Sequence, residues 1–361
     1  MTMPQLPSMR LSSIDAFRGL TVAAMLLVNN AGDWSHVYSW LEHAQWHGCT
    51  PADFVFPFFL LIVGVSLELA LAAKLGKMPA LHLLTSAWWR AGKIILLGFA
   101  LHLIAMVLIP DRQFRLFGVL QRIGLCFFLA STALIFLRST LALVVLSCGI
   151  LLGYWLLLAS SGTYQADLNL VDRIDTLVLG PLAYQFDPVT FLAHEPEGLL
   201  STLPATVNVL LGIVAARLLL RAKQVLKLVL AGLVLIALAW IWSDVMPWNK
   251  QLWTSSFVCW TCGWGFVVIA VLHYLIDQKG LPALGQSFGV NAILAYAGAW
   301  VATCIIAATN AMPFIYPQWL VAAIVKRSSE AFASFFFALM FTLCFGALMY
   351  CLRRRGWRFS I

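Results

Sequence analysis

Charged side chains are scarce in this sequence of 361 residues: only 11% are Asp, Glu, Lys or Arg, whereas 62% are hydrophobic. Almost no segment is polar enough to form a free soluble domain. A disulfide framework is also missing, because the eight cysteines lie almost entirely within apolar runs. Cys259 and Cys262 form a C-x-x-C motif that leaves a redox or metal role open, although no second pair or nearby histidine accompanies it. The mean hydropathy of +0.90 identifies an integral membrane protein.

Apolar runs long enough to cross a hydrocarbon layer of ~30 Å recur along the whole chain. The first begins in the pattern of a capping box with Ser12 and Asp15, and the second begins with Thr50, Pro51 and Asp53, which are helix-start signals. The sequence therefore predicts an all-α polytopic membrane protein that forms a single domain over residues 1–361. About ten transmembrane helices are expected, over residues 14–30, 52–73, 88–109, 116–137, 139–160, 200–221, 225–243, 253–276, 289–308 and 331–352.

Basic residues fall mainly on one side of these ten predicted spans. No cleavable signal peptide is expected, so both termini are predicted to be cytoplasmic by the positive-inside rule. Anionic lipid accounts for the net charge of +8, and no nucleic-acid partner is needed. Sixteen of the 23 Lys and Arg residues lie on or near that side: Arg10, Arg18, Lys74, Lys77, Arg90, Lys93, Arg138, Arg217, Arg221, Lys223, Lys227, Lys279, Arg353, Arg354, Arg355 and Arg358.

Polar residues gather in loops on the opposite, outer side, over residues 31–51, 161–199 and 244–252, with a shorter segment near 310–330. Residues 161–199 carry six carboxylates against the single Arg173, and would attract a cationic ligand or simply face water. Glu197 differs from the others, because the segment "EPEGLLS" leads straight into the sixth predicted span. The function is therefore expected in the outer loops.

His43 and His47 lie four residues apart in the first outer loop, a spacing that zinc ligands often use. The Glu of an H-E-x-x-H motif is missing, and a metal would need Asp33 or His36 as a further ligand, so no metal is predicted. His43 follows Glu42 and lies just before the second span. An imidazole there could take up and return a proton at physiological pH, or it could be an interfacial residue beside the tryptophans of an aromatic belt.

Amides lie in or beside several spans, where each needs a hydrogen-bonding partner. Asn29 and Asn30 end the first span, and Arg18 lies eleven residues before Asn29, which corresponds to ~16 Å of helix. A long ligand that enters from the cytoplasmic side could cover that distance.

Five segments together resemble the transmembrane acetyltransferase family typified by heparan-alpha-glucosaminide N-acetyltransferase, and more closely its bacterial members. They follow one another in the same order along most of the chain: "SIDAFRGLTVAAMLLVNN", "EHAQWHGCTPADFVFPFFLLIVGVS", "FRLFGVLQRIG", "EPEGLLST" and "MPWNKQLWTSSFV". The resemblance implies transfer of an acetyl group from cytoplasmic acetyl-CoA to the amine of a glucosamine-type sugar on the periplasmic side. It also implies a multi-pass protein of the bacterial inner membrane, and raises a homodimer as an expectation.

By the same resemblance, His43 is the catalytic histidine and Asn29 the asparagine that works beside it. His43 would be the base or would carry a transient acetyl group, and Asn29 would donate to the oxyanion. Arg18, with Arg90 and Lys93 next, is expected to meet the phosphates of acetyl-CoA, although a positive-inside anchor is an equal interpretation of the last two. Residues expected to bind the substrate are Asp33, His47, Glu197, Asn249, Lys250 and Trp253.

Two departures from the family pattern bear on the acceptor. The loop after the first span looks longer than in the lysosomal enzyme, and no large preceding luminal domain is recognised. A small amino sugar or an amine of a cell-envelope glycan is therefore the expected acceptor. The alternative function is an amino-sugar transporter of the inner membrane, but neither an inverted repeat nor matching broken helices are recognised in the two halves of the sequence.

Overall fold

The computed structural model describes residues 11–220 and 225–359, and almost every regular element in them is an α-helix. The fourteen helices are α1 Ser12–Asn29, α2 Val55–Leu71, α3 Ala80–Leu108, α4 Val119–Phe136, α5 Thr140–Ala159, α6 Leu170–Val178, α7 Thr202–Leu220, α8 Val225–Ser243, α9 Ser255–Leu272, α10 Gln286–Val290, α11 Ala292–Ala308, α12 Met312–Ile315, α13 Gln318–Val325 and α14 Glu330–Arg354. A 3₁₀ turn, Pro51–Phe54, leads into α2, and a π-helical segment, His273–Gln278, extends α9. One short antiparallel pair joins β1 Gln185–Phe186 to β2 Ala193–His194.

An α-helix lies at each of the ten predicted spans, and the all-α polytopic fold is confirmed. Within the described residues, eight helices are long and apolar enough to cross a membrane. The other two predicted spans correspond to α1, whose hydropathy is lowered by Asp15 and Arg18, and to α11, which has only 17 residues. The third helix starts at Ala80, eight residues before the predicted boundary. The predicted outer segment near 310–330 contains two short helices, α12 and α13.

Side-chain contacts show that the first and last long helices begin and end at the same face of the helix bundle. Close to the start of α1, Arg18 bonds to the carbonyl oxygen of Gly289 in α10. Beyond the end of α14, the backbone N–H of Phe359 donates to Asn291 beside α10. This face is called the Arg18 end, and the opposite face is called the His43 end. Arg10, Arg221 and Lys223 of the predicted basic side lie outside the described residues.

Helices α2 and α7 form the centre of the bundle through close backbone contact. A Cβ atom at Gly64 would collide with the carbonyl oxygen of Val209, and one at Gly212 would collide with that of Leu61. Small residues permit this approach, as in many membrane helix pairs. Near the Arg18 end of the same two helices, Arg217 Nε donates to Glu68 Oε1 over 2.9 Å, so the buried carboxylate of Glu68 is paired with a partly buried guanidinium.

Loops and short elements cover the His43 end. The side chain of Asn169 caps α6 by accepting from the backbone N–H of Asp172. The β1–β2 pair and α6 pack together, because Thr176 of α6 exchanges hydrogen bonds with the backbone of Ala193. The backbone N–H of Gly48 bonds to the carbonyl oxygen of Trp248, which joins the loop after α1 to the loop before α9. Three loops that are distant in sequence therefore meet over one end of the bundle.

Candidate functional site

A cavity of about 560 Å³ opens at the His43 end, between α1, the start of α2, α4, α11 and the covering loops. Its wall combines apolar and aromatic residues with a few polar groups, as is typical of small-molecule sites. The polar and aromatic residues of the lining include Asn29, Asn30, Trp34, His43, Arg112, Arg115, Tyr184, Gln185, Glu197, Lys250, Gln251, Trp253, Tyr296, Trp300 and Thr303.

His43 is held by a buried carboxylate at the start of α2. Its Nδ1 atom lies 2.8 Å from Oδ1 of Asp53, whose side chain is fully buried while that of His43 is 44% exposed. The other carboxylate oxygen of Asp53 accepts hydrogen bonds from the backbone N–H groups of Thr50 and Ala44. Because Asp53 accepts at Nδ1, the proton of a neutral His43 belongs on that nitrogen, and Nε2 carries the lone pair. In this tautomer the Nε2 lone pair, which lies 3.0 Å from Nζ of Lys250, could accept a proton.

Lys250 is the third member of this group. Its Nζ lies 3.1 Å from Nδ1 and 3.0 Å from Nε2 of His43, and 3.7 Å from Oδ1 of Asp53. Burial lowers the pKa of Lys250, against the opposing influence of Asp53 and Glu197. The His43 imidazole therefore lies between a cationic and an anionic side chain.

A tight turn over residues 249–254 sets the position of Lys250. Asn249 is fully buried and accepts from the backbone N–H of Leu252 through Oδ1, while its own N–H donates to Thr254 Oγ1. Trp253 has a φ of 52°, a left-handed conformation that is strained for a bulky residue. Its indole N–H donates to Asn208 Oδ1 over 2.9 Å, which holds the ring in the cavity wall.

Glu197 lines the same cavity as part of a buried ionic group with Glu195 and Arg115. The Arg115 guanidinium contacts both carboxylates, and its Nε lies 3.0 Å from Glu195 Oε2. Although burial alone would raise the pKa of Glu197, the adjacent Arg115 lowers it, and Glu197 is ionised. The contacts of Arg115 with the two glutamates join the loop before α4 to the loop before α7. A cationic ligand that enters here would meet a carboxylate that is already held in place.

The two asparagines at the end of α1 differ in their surroundings. Asn30 Nδ2 donates to the carbonyl oxygen of Leu26, and Asn30 Oδ1 accepts from Thr303 Oγ1 over 2.8 Å. Asn29 lines the cavity and is exposed, and within the described residues its side-chain amide makes no hydrogen bond. Its N–H groups are therefore open to a ligand.

Three of the residues expected to bind substrate lie outside the lining of this cavity. Asn249 supports the turn, and its Nδ2 lies 3.4 Å from Nδ1 of His47. Asp33 contacts His36 over 2.8 Å, and the other ring nitrogen of His36 lies 2.5 Å from Glu330 at the start of α14. The His36 hydrogen bond lowers the pKa of Asp33. Over residues 11–220 and 225–359, no group of three or more His, Cys, Asp or Glu side chains is arranged to hold a metal ion.

A second cavity of about 280 Å³ lies towards the Arg18 end. Arg18, Lys74 and Arg90 line it, together with Ser66 and apolar residues, whereas Lys93 lies on α3 outside this lining. Arg18 Nη2 donates to Ser66 Oγ over 2.5 Å, and Nη1 lies 3.4 Å from Asp15. Three cationic side chains around one small cavity can serve an anionic group such as a phosphate.

The two cavities follow one another along the same helices. Consecutive residues of α4 contribute to different cavities, Val119 to the larger and Leu120 to the smaller. On α2, Phe56 lines the larger cavity and Phe59, one turn further on, lines the smaller. The linings share no residue, so the two cavities are separate, and the adjacent residues Val119 and Leu120 mark where one lining ends and the other begins.

Sequence reasoning missed several residues of the site. The expected helix start at Thr50 and Asp53 is confirmed by a capping box, and Asp53 has a second role that the capping pattern does not indicate, its contact with His43. Arg115 lies within the segment "FRLFGVLQRIG", and Glu195 and Glu197 lie within "EPEGLLST". One arginine and two carboxylates in these two segments were the available signal for an ionic group. In the C-x-x-C motif, Cys262 accepts a hydrogen bond from Asn208, and all eight cysteines, which lie in the described part of the chain, are free thiols.

Comparison with known proteins identifies the family of this chain. The family "Heparan-alpha-glucosaminide N-acetyltransferase, catalytic" matches residues 10–241. The human protein heparan-alpha-glucosaminide N-acetyltransferase is 30% identical, over 80% of this chain and 52% of its own length. The mouse protein of the same name is 29% identical, over 80% of this chain and 53% of its own length.

The chain therefore spans about half the length of the curated relatives that it matches. The family match covers well over half of this chain, including His43, Asp53, Arg115 and Glu197. This multi-pass membrane protein belongs to the family of heparan-alpha-glucosaminide N-acetyltransferase catalytic domains.

Proposed function

We propose that this protein is an acetyl-CoA-dependent N-acetyltransferase that carries an acetyl group across the bacterial inner membrane to the amine of a glucosamine-type sugar. The observation that carries the proposal is the Asp53–His43–Lys250 group in a cavity at one end of the bundle, with a cation-lined cavity behind it on the same helices. Family membership supports the reaction class. The Arg18 end would then be cytoplasmic and the His43 end periplasmic.

In the proposed reaction the acceptor amine attacks the thioester carbonyl of acetyl-CoA. A C–N bond forms, and Nε2 of His43 takes the proton that the amine loses, while Asp53 stabilises the imidazolium. When the tetrahedral intermediate breaks down, the C–S bond breaks and the sulfur leaves with the bond electrons. The proton on His43 passes to that sulfur, which gives CoA and an acetamide. Glu197 would hold the acceptor through its hydroxyl groups or its ammonium.

Acetyl-CoA would enter from the Arg18 end. Its phosphates cannot cross the hydrocarbon layer, but they can stay with Arg18, Lys74 and Arg90 while the apolar part of the pantetheine arm extends towards His43. The two cavities would have to join near Val119 and Leu120 for the thioester to reach His43. Lys93 remains a predicted phosphate contact, from a position outside the lining.

We expect Asn29→Ala to lower turnover by about 10²–10³-fold while leaving the affinity for acetyl-CoA nearly unchanged, because an oxyanion donor acts mainly in the transition state. Asn29→Asp should be worse, since it opposes the oxyanion with a negative charge. Steady-state kinetics with purified protein separate the two parameters. A loss of affinity at normal turnover would instead make Asn29 a binding residue.

We expect Arg18→Ala to weaken acetyl-CoA binding with strong salt dependence, and Arg18→Lys to restore part of the affinity, because an ammonium replaces only part of a bidentate phosphate contact. Calorimetric titration in detergent measures the affinity. Lys279→Ala, which removes one exposed positive charge after the π-helical segment, provides the control. Equal losses in both variants would indicate nonspecific electrostatic attraction rather than a phosphate site.

The proposal is tested in sealed vesicles that contain the protein in a known orientation. Acetyl-CoA supplied at the Arg18 end should acetylate glucosamine supplied at the His43 end, and free CoA should appear on the donor side. Reversed placement of the two substrates should give no product. Radiolabel in both the acetyl group and the sugar distinguishes transfer from leakage.

The alternative function, transport of an amino sugar, predicts a different result in the same vesicles. Labelled glucosamine would cross unchanged, without acetyl-CoA and without release of CoA. Two separate cavities, one towards each end of the bundle, are compatible with alternating access, in which a transporter opens to one side of the membrane at a time. Transport at a rate that does not respond to substitution of His43 would refute the acetyltransferase proposal.

A further inference from the structure

A second histidine–aspartate pair lies beside the cavity and has no part in the proposed chemistry. Nδ1 of His194, at the end of β2, lies 2.5 Å from Oδ1 of Asp172 in α6. Nε2 of His194 lies 2.5 Å from Oε1 of Gln251, the residue that follows Lys250. Both His194 and Asp172 are buried. The pair therefore connects α6 directly to the turn that carries Lys250.

The hydrogen bonds around His194 define its protonation state. Gln251 Nε2 donates to the carbonyl oxygen of Gln45, which directs Oε1 of the same amide towards His194. Asp172 accepts from the backbone N–H of Asp167 and from Asn169 Nδ2, as an ionised carboxylate does. Both ring nitrogens of His194 thus face acceptors. Each must carry a proton to make its bond, so His194 is an imidazolium.

His194 also contacts the loop that carries His43. The ring of Trp46 lies 5.6 Å from that of His194, within range of a cation–π contact, and the Trp46 indole donates to the carbonyl oxygen of Tyr164. Gln45 and Trp46, which follow His43 closely, are therefore held by the same group that holds Gln251. Three segments meet at one imidazolium: α6, the His43 loop and the Lys250 turn.

The surrounding charges favour the protonated form. Burial alone would lower the pKa of His194, but the hydrogen bond and charge of Asp172 raise it, with help from Gln251 and Asp175. Asp175 is the other charged group of α6 nearby, and burial raises its pKa to about 7. The neighbouring Glu195 is turned towards Arg115. The contribution of protonated His194 to folding stability is fully present below the ordinary histidine pKa of ~6.5. It is lost as the pH rises through the raised pKa of His194.

We propose that His194 is a positioning residue for acetyl transfer: its imidazolium, held by Asp172, fixes Gln251 and thereby keeps Lys250 against His43. This inference rests on the proposed function. When His194 loses its proton, one of its two hydrogen bonds must break, and the Lys250 turn is released from α6. Acetyl transfer should then fall at alkaline pH for a reason that is separate from the chemistry of His43.

The contacts from Asp172 through His194 to Gln251 are called the His194 clamp. Three substitutions test the His194 clamp through the pH profile of kcat. His194→Gln places an amide donor near Nε2 that does not titrate, so the alkaline fall caused by His194 should disappear. Asp172→Asn removes the charge that stabilises the imidazolium and should move the fall to lower pH. His194→Ala should lower kcat by about 10–100-fold at neutral pH, because small misplacements of reacting groups are costly. KM for acetyl-CoA should stay constant, since the phosphates bind at the opposite end. Asp244→Asn, at an exposed carboxylate of the same end, is the charge control.

A measurement without turnover keeps the clamp testable apart from the enzyme activity. In protein labelled with ¹³C-histidine, the resonance that His194→Gln removes should titrate above the ordinary value of ~6.5 and move down in Asp172→Asn. A His194 resonance that titrates at or below that value would refute the His194 clamp. So would a fall of kcat at alkaline pH that neither His194→Gln nor Asp172→Asn alters. If the wild-type protein transfers no acetyl group at all, the proposed function is refuted instead, and the titration still reports on the pair.

Discussion

Replacement of His43 by Ala should reduce acetyl transfer by about 10²–10⁴-fold, the range that general acid–base groups contribute. The imidazole is 44% exposed at the cavity and contacts Asp53 and Lys250, so it contributes chemistry and little packing. Turnover of purified protein, with a thermal unfolding curve for each variant, measures both properties. We expect an unchanged unfolding midpoint and an undiminished affinity for acetyl-CoA.

His82→Ala is the matched control for this substitution, because His82 is an exposed histidine near the start of α3. Its turnover should equal that of the wild type. If His43→Ala keeps near-normal turnover, the base is another group. His47 would then be examined first, because it lies in the same loop as His43 and contacts Asn249 of the turn that carries Lys250. Burial lowers the pKa of His47, which keeps it neutral and able to accept a proton.

The helices were accessible from sequence because hydropathy is local. Of the two predicted helix-start signals, the capping box at Ser12 and Asp15 is wrong, because Leu11 is the N-cap of α1 and makes no side-chain cap hydrogen bond. The capping box at Thr50 and Asp53 is formed by residues three positions apart, and the structure reproduces it. The start of α3 was placed too late because residues 80–87 include His82, Thr85 and Ser86, which interrupt the apolar run without ending the helix. An interruption of the apolar run by polar residues is therefore a poor guide to where a helix begins.

The site was only partly accessible, because its contacts join residues far apart in sequence. His43, Lys250 and Glu197 were identified through motifs, and all three line one cavity. Lys250 lies 207 positions from the histidine that it contacts, and Arg115 lies 82 positions from Glu197. No periodicity encodes such pairs. The His194–Asp172 pair was missed for the same reason. Asp172 belongs to an acidic segment whose carboxylates could simply face water, and no sequence signal marks His194, whereas both residues are buried.

Replacement of Asp53 by Asn should lower turnover by at least about 10²-fold, although the side-chain shape is kept. In a serine protease triad the equivalent exchange costs about 10⁴-fold, because the histidine is left in the wrong tautomer. Here Oδ2 of Asp53 accepts from the backbone N–H groups of Thr50 and Ala44, so the amide oxygen of an Asn must stay on that side. Its NH₂ group then faces Nδ1 of His43 and donates to it. The proton of the imidazole moves to Nε2, and the base has no lone pair for the amine.

Thr50→Val separates this tautomer effect from helix capping. It removes the Thr50 hydroxyl, which bonds to Asp53 Oδ2 and to the carbonyl oxygen of Glu42, but it leaves the Asp53–His43 contact intact. For Thr50→Val we expect about 1 kcal/mol of destabilisation and near-normal turnover. For Asp53→Asn we expect the opposite, a loss of turnover with little destabilisation. The ¹³C-histidine spectrum should show the exchange of tautomer directly in Asp53→Asn. An Asp53→Asn protein that transfers acetyl groups at the wild-type rate, with His43 still protonated on Nδ1, would rule out this role for Asp53. The carboxylate would then serve only the start of α2.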